Sequence, residues 1–183
     1  MNILREVMVR ELTDVFYAIE EGQVQGLINL IVKADKIFVY SCGREALMLK
    51  AFAMRLHHLC LKVHVVGDVT VPAIGLNDLM LIVCGPGYVS TDIAMANIAK
   101  KSGADVALMT ANMEGEICGY CNHIVCIPAQ TMAVKADQAK SSQPMGAVFE
   151  QAQLLIEEYI VVKLSEILKC SEEDMRKNHT VLE

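Results

Sequence analysis

A chain of 183 residues, 54% apolar and 21% charged, has the length of one domain and is too apolar to stay disordered. Lys and Arg number 16 against 22 Asp and Glu, a net charge of -6; with 5% aromatic residues and no Trp, this excludes a basic, base-stacking nucleic-acid binder. The longest stretch without Asp, Glu, Lys or Arg, Ile117 to Val134, contains Gly119, Asn122, His123, Pro128 and Gln130, so it is no spanning helix. Arg5, Glu6, Arg10 and Glu11 interrupt the N-terminus and leave no apolar core for a signal peptide. The seven cysteines are therefore expected to be reduced, buried and cytoplasmic.

Taken in chain order, Met1 to Ala34 is helical with a break near Gly22, because Val7, Leu12, Val15, Phe16 and Ile19, then Val24, Leu27, Ile28 and Ile31, recur at helical spacing. Lys36 to Tyr40 is short and rich in β-formers, which predicts a buried strand that turns at Ser41-Cys42-Gly43 into a helix over Arg44 to Leu59. The unit then repeats. Strands are expected over Val63–Val66, Leu79–Cys84, Asp105–Met109 and His123–Ile127, and helices over Ser90–Lys101 and Glu114–Gly119. A connection from Ala129 to Gln143 precedes Pro144 and a helix over Gly146 to Lys169; from Asp174 onward the tail is polar, with room for one short helix. Short apolar strands alternating with helices predict an α/β fold: a five-stranded parallel sheet, doubly wound in a three-layer αβα sandwich. Ligands of such folds bind beyond the carboxyl ends of the strands, at the switch in strand order.

Several strand ends carry chemistry. Ser41-Cys42-Gly43-Arg44 offers a hydroxyl, a guanidinium and a helix N-terminus, a set that suits a phosphate or other oxyanion better than a plain turn. Gly85-Pro86-Gly87-Tyr88-Val89-Ser90 misses the dinucleotide fingerprint by one glycine, and Asp105 stands at the wrong end of its strand to bind a ribose, so a nicotinamide site is rejected. Ser90 and Thr91, with Asp92 beside them, are either anion donors or ordinary helix caps. The single C-x-x-C at Cys118 and Cys121 lacks the second pair that zinc requires and reads as core packing. His57 and His58 close an apolar helix, where one of them is expected inside or at an interface. Glu150 lies early in an apolar helix; it is either a proton-transfer base with a raised pKa or a first-turn acid favoured by the helix dipole.

Four blocks carry a family resemblance. Ala51-Phe52-Ala53-Met54-Arg55-Leu56-His57-His58-Leu59, Val63 to Ile74, Gln143-Pro144-Met145-Gly146 with Phe149-Glu150, and the ending Asn178 to Glu183 together resemble 6-phospho-3-hexuloisomerases, single sugar-isomerase (SIS) domains, over nearly the whole chain. The resemblance implies one SIS domain over 1–183: N-terminal helices 1–34, a βα core 35–128, and a long helix and tail 144–183. It implies a homo-oligomer, a tetramer or dimer, with active sites near subunit interfaces. It further implies an isomerase that needs no metal or organic cofactor and interconverts 3-hexulose 6-phosphate and fructose 6-phosphate through an enediol. By resemblance Glu150 is the base, and His58 and His179 assist ring opening or proton relay. Ser41, Gly43 and Arg44 match the first substrate loop, Gly85, Gly87, Ser90 and Thr91 surround the phosphate loop, and Thr110 with Asn112 match the loop after the fourth strand.

The chain departs from the family at the phosphate loop, which reads S-G-S-G-E-T there and Cys84-Gly85-Pro86-Gly87-Tyr88-Val89 here. The glycines remain, but the hydroxyls and the acid are gone, and Pro86 lacks an N–H. Two functions follow: a phosphosugar isomerase, or a non-catalytic SIS module that binds a sugar phosphate for regulation.

Overall fold

The computed structural model describes residues 3–133 and 141–182. Five parallel strands form one sheet in the order β2-β1-β3-β4-β5: β1 (Ile37–Ser41), β2 (Val63–Val65), β3 (Leu79–Val83), β4 (Asp105–Thr110) and β5 (His123–Cys126). The expected sheet is present. Its alternating residues divide two cores. Ile37, Val39, Leu79, Leu81, Val83, Ala107 and Met109 face one side, and Phe38, Met80, Ile82, Val106 and Leu108 the other. A strand buried on both faces has to be apolar at every position, which is why these segments read as continuous runs rather than alternations.

The first face is covered by α1 (Ile3–Ala18), α2 (Glu21–Lys33), α3 (Glu45–His58) and α5 (Ala147–Leu168), and the second by α4 (Ser90–Lys101) with a 3-10 turn over Glu116–Tyr120. In α2, Val24, Leu27, Ile28 and Ile31 form the buried stripe. In α5, Phe149, Ala152, Ile156, Ile160 and Leu164 form another. Each such aliphatic or aromatic side chain contributes about 1.5–3 kcal/mol when fully buried. In α1 none of the residues is buried; the helix rides on α5, with Phe16 edge-on to Tyr159 at 6.3 Å.

The helix break falls at Ile19–Glu20 and not at Gly22, which lies in the first turn of α2. The helix expected over 114–119 is a 3-10 turn, and α6 (Glu172–Lys177) starts before Asp174, where Ser171 forms a capping box with Asp174. Residues 134–140 of the expected connection lie outside the described residues. All seven cysteines are thiols, but only Cys84 is buried and Cys60 is exposed, which corrects the expectation of a uniformly buried set. No described helix is long and apolar enough to cross a membrane, and no described group of His, Cys, Asp and Glu could hold a metal ion.

Strand order reverses between β1 and β3, since β2 lies to one side of β1 and β3 to the other. The loops after β1 and β3 diverge there and leave a crevice at the carboxyl end of the sheet.

Candidate active site

A cavity of about 320 Å³ opens in that crevice, and the N-terminal ends of three helices border it. The turn after β1 contributes Cys42, Gly43, Arg44 and Glu45; the loop after β3 contributes Pro86, Val89 and Asp92; the segment leading into α5 contributes Met145, Gly146, Phe149 and Glu150. Two backbone features shape the rim. Gly43 has φ +65°, a left-handed turn that lets α3 start immediately after the strand. Met145 and Gly146 are both left-handed, and a Cβ on Gly146 would lie 3.0 Å from the Met132 nitrogen. This tight double turn aims the first turn of α5 into the cavity.

The charged groups are three carboxylates and one guanidinium. Arg44 Nη1 lies 2.6 Å from Glu150 Oε2, an ion pair across the cavity between the N-cap of α3 and the first turn of α5. Burial pushes the Glu150 carboxyl up, Arg44 pulls it down, and burial prevails. Glu45 Oε2 accepts the Gly85 N–H at 2.9 Å. Burial raises the Glu45 pKa to about 7 against that hydrogen bond, and the neighbouring Asp92 and Glu150 carboxylates add to the rise. Asp92, 1% exposed in the first turn of α4, is likewise raised by burial, partly offset by the Cys84 and Cys42 thiols beside it. Its Oδ1 is buried without a hydrogen-bond partner. Carboxylates with raised pKa values in a concave site suit proton transfer near neutral pH.

Of the residues expected from the sequence, Gly43, Arg44 and Glu150 line this cavity together. Thr91 reaches its edge, with its hydroxyl 3.1 Å from Cys42 Sγ. Ser90 is exposed at the start of α4, whose N-cap is Val89, so no side-chain cap forms and the capping alternative falls away. Gly85, Gly87, Thr110 and Asn112 build the loop rather than line the cavity. Thr110 Oγ1 donates to the Gly85 carbonyl at 3.2 Å, and Asn112 Nδ2 donates to the Pro86 carbonyl at 3.0 Å. Gly87, at φ +80°, packs so closely on Gly115 that a Cβ would stand 3.0 Å from its Cα.

Ser41 is placed differently from its expected role. It pairs with Val83 in the sheet register, and its hydroxyl donates to the Val83 carbonyl at 2.7 Å. His58 and His179 stack on each other with ring centroids 5.2 Å apart, at the far end of α3. Thirteen helical rises separate Glu45 from His58, about 20 Å. Within one chain these histidines stand at the opposite rim of the sheet from Glu150.

Glu45 is a cavity-lining carboxylate that the motifs did not single out. Its signal was an acid directly after the anion-suited turn, in the first turn of α3, where the dipole alone accounts for it. Nothing local reveals that its carboxylate crosses to the β3 loop, 40 residues away.

The SIS domain family model matches residues 30–155, which contain the whole sheet and most of the crevice. The chain belongs to the SIS domain family. Its relatives include a 3-hexulose-6-phosphate isomerase of Mycobacterium gastri, 36% identical over 94% of this chain and 86% of that protein. Another, a 3-hexulose-6-phosphate isomerase of Bacillus subtilis, is 33% identical over 90% of this chain and 89% of its own. A solved Methanococcus jannaschii protein, for which a 3-hexulose-6-phosphate isomerase function was inferred, superposes with a TM-score of 0.85 at 24% identity, covering 97% of this chain and 98% of that one; at this identity it speaks for the SIS fold. The expected family and architecture are both present, and the chain sits among phosphosugar isomerases of the SIS family.

Proposed function

We propose that the crevice is the active site of a phosphosugar isomerase that interconverts 3-hexulose 6-phosphate and fructose 6-phosphate. The observation that carries this reading is Glu150, a buried carboxylate with a raised pKa, held at the cavity wall by Arg44. The names of the isomerase relatives support the choice of substrate.

The chemistry uses the residues in place. Glu150 takes the C2 proton of 3-hexulose 6-phosphate, next to the C3 carbonyl; the C–H electron pair becomes the C2–C3 double bond and the carbonyl pair moves onto O3, giving an enediolate. The O2 hydroxyl proton passes to the adjacent O3, and return of the carbon proton from Glu150 to C3 leaves the carbonyl at C2, the fructose isomer. Arg44 supplies a permanent positive charge for the substrate's negative groups. As an anion draws the guanidinium toward itself, Glu150 loses part of the interaction that lowers its pKa and becomes a stronger base. The buried Phe149 ring in the cavity wall limits water around the enediol.

His58 and His179 enter this scheme only through a second copy, whose far rim would have to meet this crevice. The proposal therefore includes a homo-oligomer, a dimer or tetramer.

A second reading has its own observation. The loop after β3 offers no Ser or Thr hydroxyl before Ser90, and its Gly85 N–H is already held by Glu45. Those features favour a site that binds a sugar phosphate without converting it. One experiment separates the two. The protein is incubated with 3-hexulose 6-phosphate, fructose 6-phosphate is followed by NMR, and binding is followed by thermal shift. Conversion supports the isomerase. A shift without conversion supports the binding module, and the absence of both conversion and shift contradicts both readings.

A further inference from the structure

The Glu45 carboxylate occupies the place where the loop after β3 would receive an anion. It accepts the Gly85 N–H at 2.9 Å, and it lies so flat on that residue that a Cβ there would stand 2.6 Å from Oε1. The two residues that follow Gly85 offer no free backbone donor. Gly87 N–H donates to the Cys84 carbonyl at 3.1 Å, and Pro86 has no N–H. Around this point the charges are set against a second anion. Glu150 on α5 and Asp92 on α4 face Glu45, the Asp92 Oδ1 is buried without a partner, and the Cys42 and Cys84 thiols lie beside Asp92. Arg44, adjacent on the chain, is already engaged with Glu150.

We propose that Glu45 is the specificity-determining residue of this site: a built-in anion that competes with the ligand's phosphate for the Gly85 N–H, so that phosphate is admitted there only as Glu45 takes up a proton or swings away. An ionised carboxylate holds the donor and repels the phosphate. A protonated one does neither with comparable force. Glu45 ionises near pH 7, so the competition is active above that pH and relieved below it. The ionised fraction rises through pH 7, and each further pH unit weakens anion binding about tenfold where proton uptake is required. The inference rests on the crevice being the ligand site and is independent of turnover.

Sulfate is the appropriate probe, because its charge is constant between pH 6 and pH 8.5 while a phosphate monoester titrates. Isothermal titration is carried out at both pH values, in buffers of different ionisation enthalpy, on the wild type, Glu45→Gln and Glu45→Ala. The expected results are weaker sulfate binding by the wild type at pH 8.5 than at pH 6, by about tenfold or more, and uptake of close to one proton per sulfate at pH 8.5. Both variants bind sulfate at pH 8.5 at least about tenfold more tightly than the wild type, and most of the pH slope and the proton uptake disappear. Equal affinity of wild type and variants at pH 8.5 overturns the proposal. So does the absence of sulfate binding in all three at both pH values. In that case fructose 6-phosphate is titrated into the same proteins. Binding to the wild type leaves the crevice reading in place and removes only the role of Glu45; no binding removes both.

Discussion

Arg44 Nη1 and Glu150 Oε2, over a hundred residues apart in the chain, approach to 2.6 Å at the N-terminal ends of α3 and α5. The pair joins the anion-attracting group of the crevice to its candidate base. Arg44 is 56% exposed in its side chain and Glu150 only 11%, so the cation is the mobile partner and the carboxylate the fixed one. A substrate anion can therefore recruit Arg44 without displacing Glu150.

Replacing Arg44 with Ala removes both effects of the guanidinium. Sugar-phosphate affinity is expected to fall about 10- to 100-fold, the range for loss of a charged hydrogen bond. Glu150, released from the group that lowers its pKa, protonates at a higher pH in the variant. The acidic limb of the pH–rate profile should move upward relative to the wild type. An unmoved limb argues that Arg44 does not act on Glu150.

The loop after β3 depends on Asn112, whose Nδ2 donates to the Pro86 carbonyl while its Oδ1 accepts the Glu114 N–H at 3.2 Å. Asn112→Ala is expected to cost about 1–2 kcal/mol, roughly a 2–8 °C fall in Tm for a domain of this size. Sugar-phosphate KM should rise, while the pH dependence of turnover stays as in the wild type, because Asn112 positions the loop and holds no proton in the reaction. A shifted pH profile would contradict that role.

Much of this architecture was legible in the sequence, and the exceptions have physical causes. The strand runs from Ile37, Leu79 and Val106 stand out because a parallel strand covered on both faces must be apolar at every position. Arg44 and Glu150 were legible as candidates because the first directly follows a strand-ending turn and the second interrupts an apolar helix. Ser41 was not, since register alone decides that its hydroxyl meets the Val83 carbonyl. The distance between Glu150 and His58 is a matter of helix length: adjacency to a family block does not reveal that α3 carries His58 about 20 Å from the crevice. Glu45 was missed because its partner lies on another loop.

A second buried acid gives a stability prediction. Glu157 is 1% exposed, its pKa is raised by burial to about 8, and its Oε1 accepts from Gln153 Nε2 at 2.9 Å. The folded state keeps the Glu157 proton up to about pH 8, whereas the unfolded chain releases it near the ordinary carboxyl value of 4.5. Between these pH values the folded state binds more protons, so stability falls as pH rises, with a limiting slope of about 1.4 kcal/mol per pH unit for this group. Glu157→Gln has nothing to ionise. Urea denaturation at pH 5 and pH 8 should show the wild type losing stability relative to the variant over that interval. A constant difference would show that Glu157 does not titrate in that window.

The apolar surface argues for association. Ile3, Leu4, Val9 and Tyr17 on α1 are exposed by 56% or more, and Leu155, Val162 and Ile167 on α5 by 40% or more. In α1 only one face, with Leu12, Val15 and Phe16, is partly covered by the core, and the apolar side chains on its other faces are uncovered in a single chain. Light scattering at micromolar concentration is expected to give a mass well above the 20.1 kDa of one chain. A value near 20.1 kDa would leave no second copy to bring His58 and His179 to the crevice.

The central claim is that Glu150 moves the proton between adjacent carbons of a phosphosugar. Its most direct test is the rate at which Glu150→Gln converts 3-hexulose 6-phosphate to fructose 6-phosphate, measured against the wild type at saturating substrate. Gln keeps the shape and removes the base, so turnover should fall about 100- to 10,000-fold while substrate binding persists. A Glu150→Gln variant with the full turnover of the wild type would contradict the account.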